Sequence, residues 1–158
     1  MTVLSPFLRL AQRLFMTFAR LAHGMTLGAR AAVIAADGRI LLVRHTYAPG
    51  WHSPGGGVQA GETAEAAVER ELMEETGIAL GGRPRFFGLY FNRGVSRRDH
   101  VALFVCRGWS EARPPRLPTV EIAETGFFAR DALPDGVSGG TRRRLAEILD
   151  GAERSAEW

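Results

Sequence analysis

Three glutamates crowd the stretch RELMEETG at residues 70–77 of a chain whose formal net charge is +3. A helix turns by roughly 100° per residue, so Glu71, Glu74 and Glu75 share an arc with the apolar side chains of Ala67 and Leu72. Carboxylates on that arc face the protein interior, where like charges repel each other and burial raises the cost of ionisation. Proton uptake, arginine partners or a divalent cation would relieve this cost.

Arginine and a cation are the two partners that the spacing favours. Arg70 can reach Glu74 at the i,i+4 distance, and a hard cation with oxygen ligands would neutralise the others. Mg²⁺ suits the second role because it needs few carboxylates, keeps several waters and bridges to substrate phosphates. Glu65 and Glu69 project toward solvent on the same helix. An ordinary salt-bridged surface helix would show the same spacing and is the alternative interpretation.

The loop before this helix is rich in glycine. Gly55, Gly56 and Gly57 precede it, and Gly61 and Glu62 stand at its threshold. Glycine lets backbone amides and carbonyls approach a ligand closely, and a helix N-terminus adds positive potential. A glycine cluster followed by inward-facing acids indicates a site for a phosphate and its cation.

These residues resemble the Nudix box, from Gly56 through Glu62 to Arg70-Glu71-Leu72-Met73-Glu74-Glu75-Thr76-Gly77-Ile78. The family pattern is Gly, five residues, Glu, seven residues, Arg-Glu, an aliphatic residue, any residue, Glu-Glu, any residue, Gly and an aliphatic residue, and every fixed position matches. WHSPGGGV and TGFFARDALP extend the resemblance over about residues 28–150, although Ser53 stands where members often carry a bulky apolar residue. The resemblance implies an α/β/α sandwich around a mixed sheet.

The resemblance also implies an activity, namely Mg²⁺-dependent hydrolysis of a nucleoside diphosphate linked to a further group X. Mn²⁺ is a possible substitute, and the products would be a nucleoside monophosphate and phosphorylated X. Phosphoryl transfer needs positioning and charge neutralisation more than covalent chemistry. A non-catalytic nucleotide sensor on the same fold is the alternative, but an intact set of carboxylates argues against it. An isoprenoid diphosphate isomerase is disfavoured because the only thiol, Cys106, lies in an apolar run.

Matching positions imply roles for individual residues. The metal ligands would be Glu71, Glu74, Glu75 and the carbonyl of Gly56 or its neighbour Gly55, and the catalytic residues would be Glu71, Glu74 and Arg70. Arg70 would hold the carboxylates, and Glu71 is a candidate for activating the water. The supporting residues would be Glu62, Gly55, Gly77 and Glu124, with Glu121 a second candidate for a distal carboxylate.

Four further residues are predicted to bind the substrate, because an aromatic ring can stack on a base and arginine can contact phosphate. They are Arg44, Trp51, Arg93 and Arg98. Core packing of Trp51 and a solvated basic loop over residues 93–98 are the alternative interpretations.

An α/β domain must position these groups. Apolar runs on either side of Asp37-Gly38 predict a β-hairpin, and Thr63–Thr76 predicts a helix with Thr63 at its start and Gly77 at its end. Further strands and a last helix are predicted at Phe86–Phe91, Val101–Cys106, Glu124–Phe128 and Gly139–Leu149. Irregular alternation of strands and helices indicates a mixed sheet between helices.

The sequence divides into an N-terminal amphipathic helical extension (residues 1–27), the Nudix domain (residues 28–150) and a C-terminal tail (residues 151–158). Apolar residues at helical spacing predict an amphipathic helix over residues 4–22. Three interpretations of this helix stay open: packing on its own domain or on a partner subunit of a homodimer, weak contact with an anionic membrane surface, or a loose tail.

Composition limits the other partners. One cysteine excludes a disulfide framework and fits a cytoplasmic location, and no apolar run reaches the ~18 residues of a membrane span. Basic residues are dispersed and no RNA-binding motif is present, so no nucleic-acid partner is expected. The expected partner is a nucleoside diphosphate derivative as substrate.

Overall fold

The computed structural model of the protein describes residues 24–113 and 117–158. The helix predicted over residues 4–22 lies outside these residues, and the interpretations of it stay predictions. In the described part, the strands are β1 (Thr26–Val33), β2 (Ile40–His45), β3 (Trp51–His52), β4 (Gly55–Gly57), β5 (Ile78–Leu80), β6 (Arg85–Phe91), β7 (Asp99–Cys106), β8 (Trp109–Glu111) and β9 (Ile122–Phe128). The helices are α1 (Ala64–Thr76) and α2 (Gly139–Leu149).

The largest sheet is mixed and has the strand order β4-β1-β7-β6. β1 runs parallel to β7, in register from Thr26 opposite Asp99 to Val33 opposite Cys106. β4 and β6 pair antiparallel with β1 and β7, respectively. A second sheet, β3-β2-β9, is antiparallel, and β5 pairs with β8.

The two helices cover opposite sides of these sheets. Ala67, Val68 and Leu72 of α1 are buried in one apolar cluster with residues of β1, β2 and β7. Leu145 of α2 is buried in a second cluster with Ile40 and Leu42 of β2. Burial of these apolar faces is the main favourable contribution to folding. This arrangement confirms the predicted α/β/α sandwich with a central mixed sheet.

Local signals set the ends of α1. The hydroxyl of Thr63 accepts a hydrogen bond from the amide of Ala66 at 3.1 Å, and Gly77 ends the helix in the left-handed conformation with φ 72°. The amide of Gly77 donates to the carbonyl of Met73, as helix C-caps do. The predicted caps are both confirmed.

The predicted hairpin at Asp37-Gly38 forms only its turn. The amide of Gly38 donates to the carbonyl of Ala35, and a single bridge joins Ile34 to Ile40. Beyond this bridge β1 pairs with β4 and β7, whereas β2 joins β3 and β9 in the other sheet. The predicted hairpin is therefore short, because beyond this bridge each strand finds its hydrogen-bond partners in a different sheet.

The segment predicted as a C-terminal tail packs onto the domain. The amide of Phe91 in β6 donates to the carbonyl of Ala156, and the amide of Trp158 donates to the carbonyl of Phe91.

Four short strands were not predicted from the sequence, namely β3, β4, β5 and β8, each of which has only two or three residues. Neither helix of the described ranges is long and apolar enough to cross a bilayer.

Candidate active site

The three glutamates of α1 differ in depth. Glu75 is buried, Glu71 is half-buried and Glu74 is exposed. The helical projection expected all three to face the interior, and this is wrong for Glu74, because its position lies at the rim of the buried face. Glu69 is exposed as expected, whereas Glu65 is half-buried and forms an ion pair with Arg83.

Arg70 connects the acids of α1 to the preceding loop. One terminal nitrogen donates to Glu71 at 2.7 Å and to Glu74 at 3.2 Å. The other donates to Glu62 at 2.8 Å and to the carbonyl of Gly57 at 3.1 Å. The planar guanidinium suits this forked contact in a way that an ammonium does not. Glu62 in turn accepts from the amide of Gln59 at 2.7 Å, which connects it to the loop before α1.

The glycine strand β4 lies directly against these carboxylates. The amide of Gly55 donates to Glu75 Oε2 at 2.8 Å. A Cβ atom on Gly56 would lie 2.6 Å from Cδ of Glu71, so a side chain there would displace this carboxylate. Gly55 has φ 134°, a conformation that L side chains rarely adopt. The glycines are therefore required because backbone and carboxylates share one small space.

Burial dominates the electrostatics of Glu75. Desolvation raises its pKa to about 7, against the opposing effects of the Gly55 amide and of Arg30. His45 Nδ1 lies 3.9 Å from Glu75 Oε1, but burial, together with Arg30 and His52, lowers the pKa of His45 to about 4. The contact thus involves a neutral imidazole and is no ion pair at neutral pH. A buried acid with one amide donor is a ready ligand for a cation.

A small cavity of about 310 Å³ opens beside the acids. Glu71, Glu74 and Glu75 line it from α1, and Glu121 lines it from the segment before β9. Of the two distal carboxylates considered from the sequence, Glu121 is the one in this wall. Glu124 instead accepts a hydrogen bond from Arg44 at 3.0 Å on the exposed surface of the β2–β9 pair.

A larger cavity of about 600 Å³ is lined in part by Gly55–Gly57 of β4. Besides β4 itself, the polar residues Arg30, His45, Asn92 and Asp99 line it. The larger cavity is lined by the glycines of β4, and the smaller one by the glutamates that contact this strand. A molecule in the larger cavity has access to the backbone that contacts the acids.

The predicted substrate-binding residues line neither of these two cavities. The Trp51 ring packs edge-on against Phe128 with centroids 4.9 Å apart, which is the core packing weighed as its alternative. Arg44 is paired with Glu124, and Arg93 and Arg98 are exposed in the loop between β6 and β7. Their neighbours Asn92 and Asp99, rather than the arginines, face the larger cavity.

Sequence reasoning missed His45, Tyr47 and Trp158, which also line the larger cavity. For His45 a signal exists, because it shares one face of β2 with Leu41 and Val43 by strand alternation. Neither of its ring nitrogens has a hydrogen-bond partner in the described residues. No local pattern marks Trp158, whose place depends on contacts distant in sequence.

The oxygen atoms at this site can be compared with the ligands that a metal ion requires. In residues 24–113 and 117–158, no three acid, histidine or cysteine side chains are grouped closely enough to form a metal site alone. Glu71 and Glu75 nevertheless meet the backbone of Gly55 and Gly56 at one place. Two carboxylates with a backbone carbonyl and waters are a ligand set that Mg²⁺ accepts. The buried Glu75 carboxylate would gain most from such a cation, so the residues fit one.

Comparison with known proteins agrees with this geometry. A family model described as NUDIX domain matches residues 25–148, close to the predicted range of 28–150. A MutT-like protein of Streptomyces ambofaciens is 40% identical over 121 residues, which cover 76% of this chain and 74% of that protein. A putative 8-oxo-dGTP diphosphatase of Bacillus subtilis is 42% identical over 69 residues, 39% of this chain and 46% of that protein. The match thus spans less than half the length of the Bacillus protein.

Solved structures share the same architecture. A MutT NUDIX hydrolase from Burkholderia pseudomallei aligns with a TM-score of 0.68 at 31% identity, covering 78% of this chain and 98% of that one. Other relatives are named RNA pyrophosphohydrolase or ADP-ribose pyrophosphatase. These names all describe hydrolases of phosphoanhydride bonds, the enzyme class predicted from the sequence, but they differ in substrate.

Proposed function

Given that this chain belongs to the Nudix family, we propose that it is a Mg²⁺-dependent hydrolase that cleaves the diphosphate bond of a nucleoside diphosphate linked to a further group. One observation carries the proposal. Arg70 holds Glu62, Glu71 and Glu74 while β4 presses its glycine backbone against Glu71 and Glu75. Such an arrangement gathers negative charge where a phosphate would have to bind, which requires a bridging cation.

Glu71 and Glu75 would hold the metal, together with the carbonyl of Gly56 and the exposed carboxylate of Glu74. Bound there, a divalent ion would polarise phosphoryl oxygens and lower the pKa of a coordinated water. Mg²⁺ is the expected ion because all of the donors are oxygens, and Mn²⁺ accepts the same donors.

Positioning is the main task of the remaining residues. Arg70 donates to the Glu71 carboxylate at 2.7 Å. This side chain is therefore already ordered and loses less conformational freedom when metal and water bind. Glu71 is half-buried and reaches the 310 Å³ cavity, so it is the candidate for accepting the proton of the attacking water. Glu121 lines the same cavity from the segment before β9 and would be a second acceptor or a metal-shell residue.

The substrate class is supported by the cavity and by the relatives. A volume of about 600 Å³ is within the usual range for small-molecule sites and suits a nucleotide. The relatives' names include 8-oxo-dGTP and ADP-ribose as substrates. We propose a nucleoside diphosphate derivative as the substrate, and a panel of such compounds identifies the group X.

Turnover of a substrate panel tests this function. The panel contains 8-oxo-dGTP, dGTP, ADP-ribose, a nucleotide sugar and a dinucleoside polyphosphate, each with Mg²⁺ and with Mn²⁺. Glu71→Gln and Glu75→Gln should each lower kcat by at least ~10²-fold on the best substrate. Glu69→Gln is the matched control, because Glu69 is exposed on the same helix and should change little. Nucleotide binding without turnover in the wild type would favour a sensor, and full activity in both variants would overturn the assignment.

A further inference from the structure

The last residues of the sequence form part of a cavity wall. Ala156 and Trp158 exchange backbone hydrogen bonds of 2.9 and 3.0 Å with Phe91, so this segment runs parallel to β6 at that point. Trp158 lines the 600 Å³ cavity that also borders Gly55–Gly57. A segment that looks like a polar tail in the sequence thus brings an aromatic side chain to the cavity.

A buried charge cluster holds this segment in place. Arg144 of α2 is only 1% exposed and donates to Glu147 at 2.5 Å and to the carbonyl of Glu157 at 2.6 Å. Glu147 also accepts from the hydroxyl of Tyr90 at 2.8 Å and from the amide of Ser155 at 3.0 Å. Burying an arginine is costly unless it is paired and hydrogen-bonded. Two of the hydrogen bonds to the Arg144–Glu147 pair come from the C-terminal segment, through Ser155 and Glu157. The buried pair therefore fixes the position of this segment.

The indole of Trp158 packs between α2 and β6. Its ring meets the Tyr90 ring edge-on with centroids 5.8 Å apart, and Arg143 donates to the Trp158 carbonyl. A Cβ atom on Gly140 would lie 2.7 Å from Cδ1 of Trp158, so only glycine leaves room for the ring. Gly140 lines the same cavity. The indole therefore borders the cavity beside the start of α2.

The other walls of the cavity complement an aromatic surface. Leu27 and Val101 add apolar area, while Asn92 and Asp99 add hydrogen-bonding groups. Asn92 already donates to Asp99 at 2.7 Å, which holds both side chains in place. An apolar and aromatic wall combined with a few fixed polar groups is the usual composition of a site for a planar, polar ligand.

We propose that Trp158 is a substrate-binding residue, the aromatic surface on which the base of the nucleotide packs, and that Gly140 and the Arg144–Glu147 pair position it. The inference rests on the proposed function for the identity of the ligand. Stacking tolerates different bases because each presents a π-face. Trp158 should therefore strengthen binding of any base without contributing to binding of the diphosphate alone.

Calorimetric titration of ADP, GDP and inorganic pyrophosphate, in the presence of Mg²⁺, separates the two contributions. Trp158→Ala should weaken ADP and GDP binding by about 10-fold or more, while Trp158→Phe should retain most of the affinity. Pyrophosphate affinity should stay within about twofold of the wild type. Leu89→Ala is the control, because Leu89 is exposed on β6 and does not line the cavity.

Gly140→Ala supplies a second variant that leaves the indole intact. The new Cβ must displace the ring, so this variant should weaken ADP and GDP binding as Trp158→Ala does, although alanine favours helix more than glycine. Unchanged ADP and GDP affinity in both variants would overturn the proposal, as would an equal loss of pyrophosphate affinity. Trp158-dependent nucleotide binding without turnover of any panel substrate would refute the proposed hydrolase and leave this inference standing. Wild-type turnover by Trp158→Ala would instead support the proposed hydrolase and refute the role of Trp158 in substrate binding.

Discussion

Replacing Glu75 with glutamine should stabilise the metal-free protein at alkaline pH while it removes activity. Glu75 is buried, and desolvation raises its pKa from 4.5 to about 7. In the unfolded chain the carboxyl titrates near its ordinary value. Below pH 4.5 the group is protonated in both states. The stability that protonation gives to the folded state is lost as the pH rises through 7, where the folded protein must hold a desolvated carboxylate.

The size of this effect follows from the two pKa values. Each pKa unit corresponds to about 1.4 kcal/mol, so ionised Glu75 costs the folded state ~3 kcal/mol above pH 7 by the linkage relation. Glutamine is neutral at every pH and can still accept the hydrogen bond from the Gly55 amide. The free energy of unfolding of Glu75→Gln should therefore exceed that of the wild type by up to ~3 kcal/mol at pH 8, and the difference should shrink towards zero near pH 4.5.

Urea denaturation with EDTA, repeated between pH 4.5 and 8, measures this difference. Glu69→Gln serves as the control, because Glu69 is exposed on the same helix and its replacement should leave the pH dependence unchanged. Added Mg²⁺ should raise the stability of the wild type at pH 8 and leave Glu75→Gln nearly unaffected. A variant that is less stable than the wild type at pH 8, or a difference that does not depend on pH, would refute the reasoning.

Three further predictions concern the same site. Gly56→Ala places a Cβ 2.6 Å from Cδ of Glu71, so kcat should fall at least ~10-fold through misplacement of the carboxylate; steady-state kinetics beside an unfolding curve checks this, and a wild-type rate would contradict it. Arg70→Lys keeps the charge but loses the forked contact, so the Mg²⁺ concentration that gives half-maximal rate should rise about 10-fold, and an unchanged Mg²⁺ dependence would show that the fork is dispensable. Glu121→Gln should lower kcat more than Glu124→Gln, because Glu121 lines the cavity and Glu124 pairs on the surface; the reverse order would assign the distal carboxylate to Glu124.

The part of the site that is local in sequence was predictable. Helix α1 and its caps follow from Thr63, the run of strong helix formers and Gly77, and the match to the Nudix box follows from fixed spacing. The helical projection failed for Glu74, because an angle around the axis does not say how far the neighbouring chain extends over that face. Whether a rim position is covered depends on elements elsewhere in the sequence.

Aromatic residues show where such local reasoning ends. Trp51 stands beside the glycine loop and was a natural candidate for stacking, yet its strand pairing turns it into the core against Phe128. Trp158 lies at the end of a polar segment and reaches the cavity only because Arg144 and β6 hold that segment. Strand pairings between distant segments, and the satisfaction of a buried charge, leave no periodic signal in sequence.

The stability of this protein and its proposed chemistry make opposite demands on one residue. A protonated or amide side chain at position 75 would suit the folded state better than a carboxylate, because the position is nearly inaccessible to water. A neutral side chain at this position would attract a cation much less than a carboxylate does. Tight metal binding therefore requires the buried negative charge that destabilises the metal-free protein. Coordination of a cation by Glu75 would offset the cost of burial, since the ionised form would then have its counter-charge. We therefore expect metal affinity and metal-induced stabilisation to fall together in any variant that neutralises Glu75, and a variant that lost one without the other would separate the two roles.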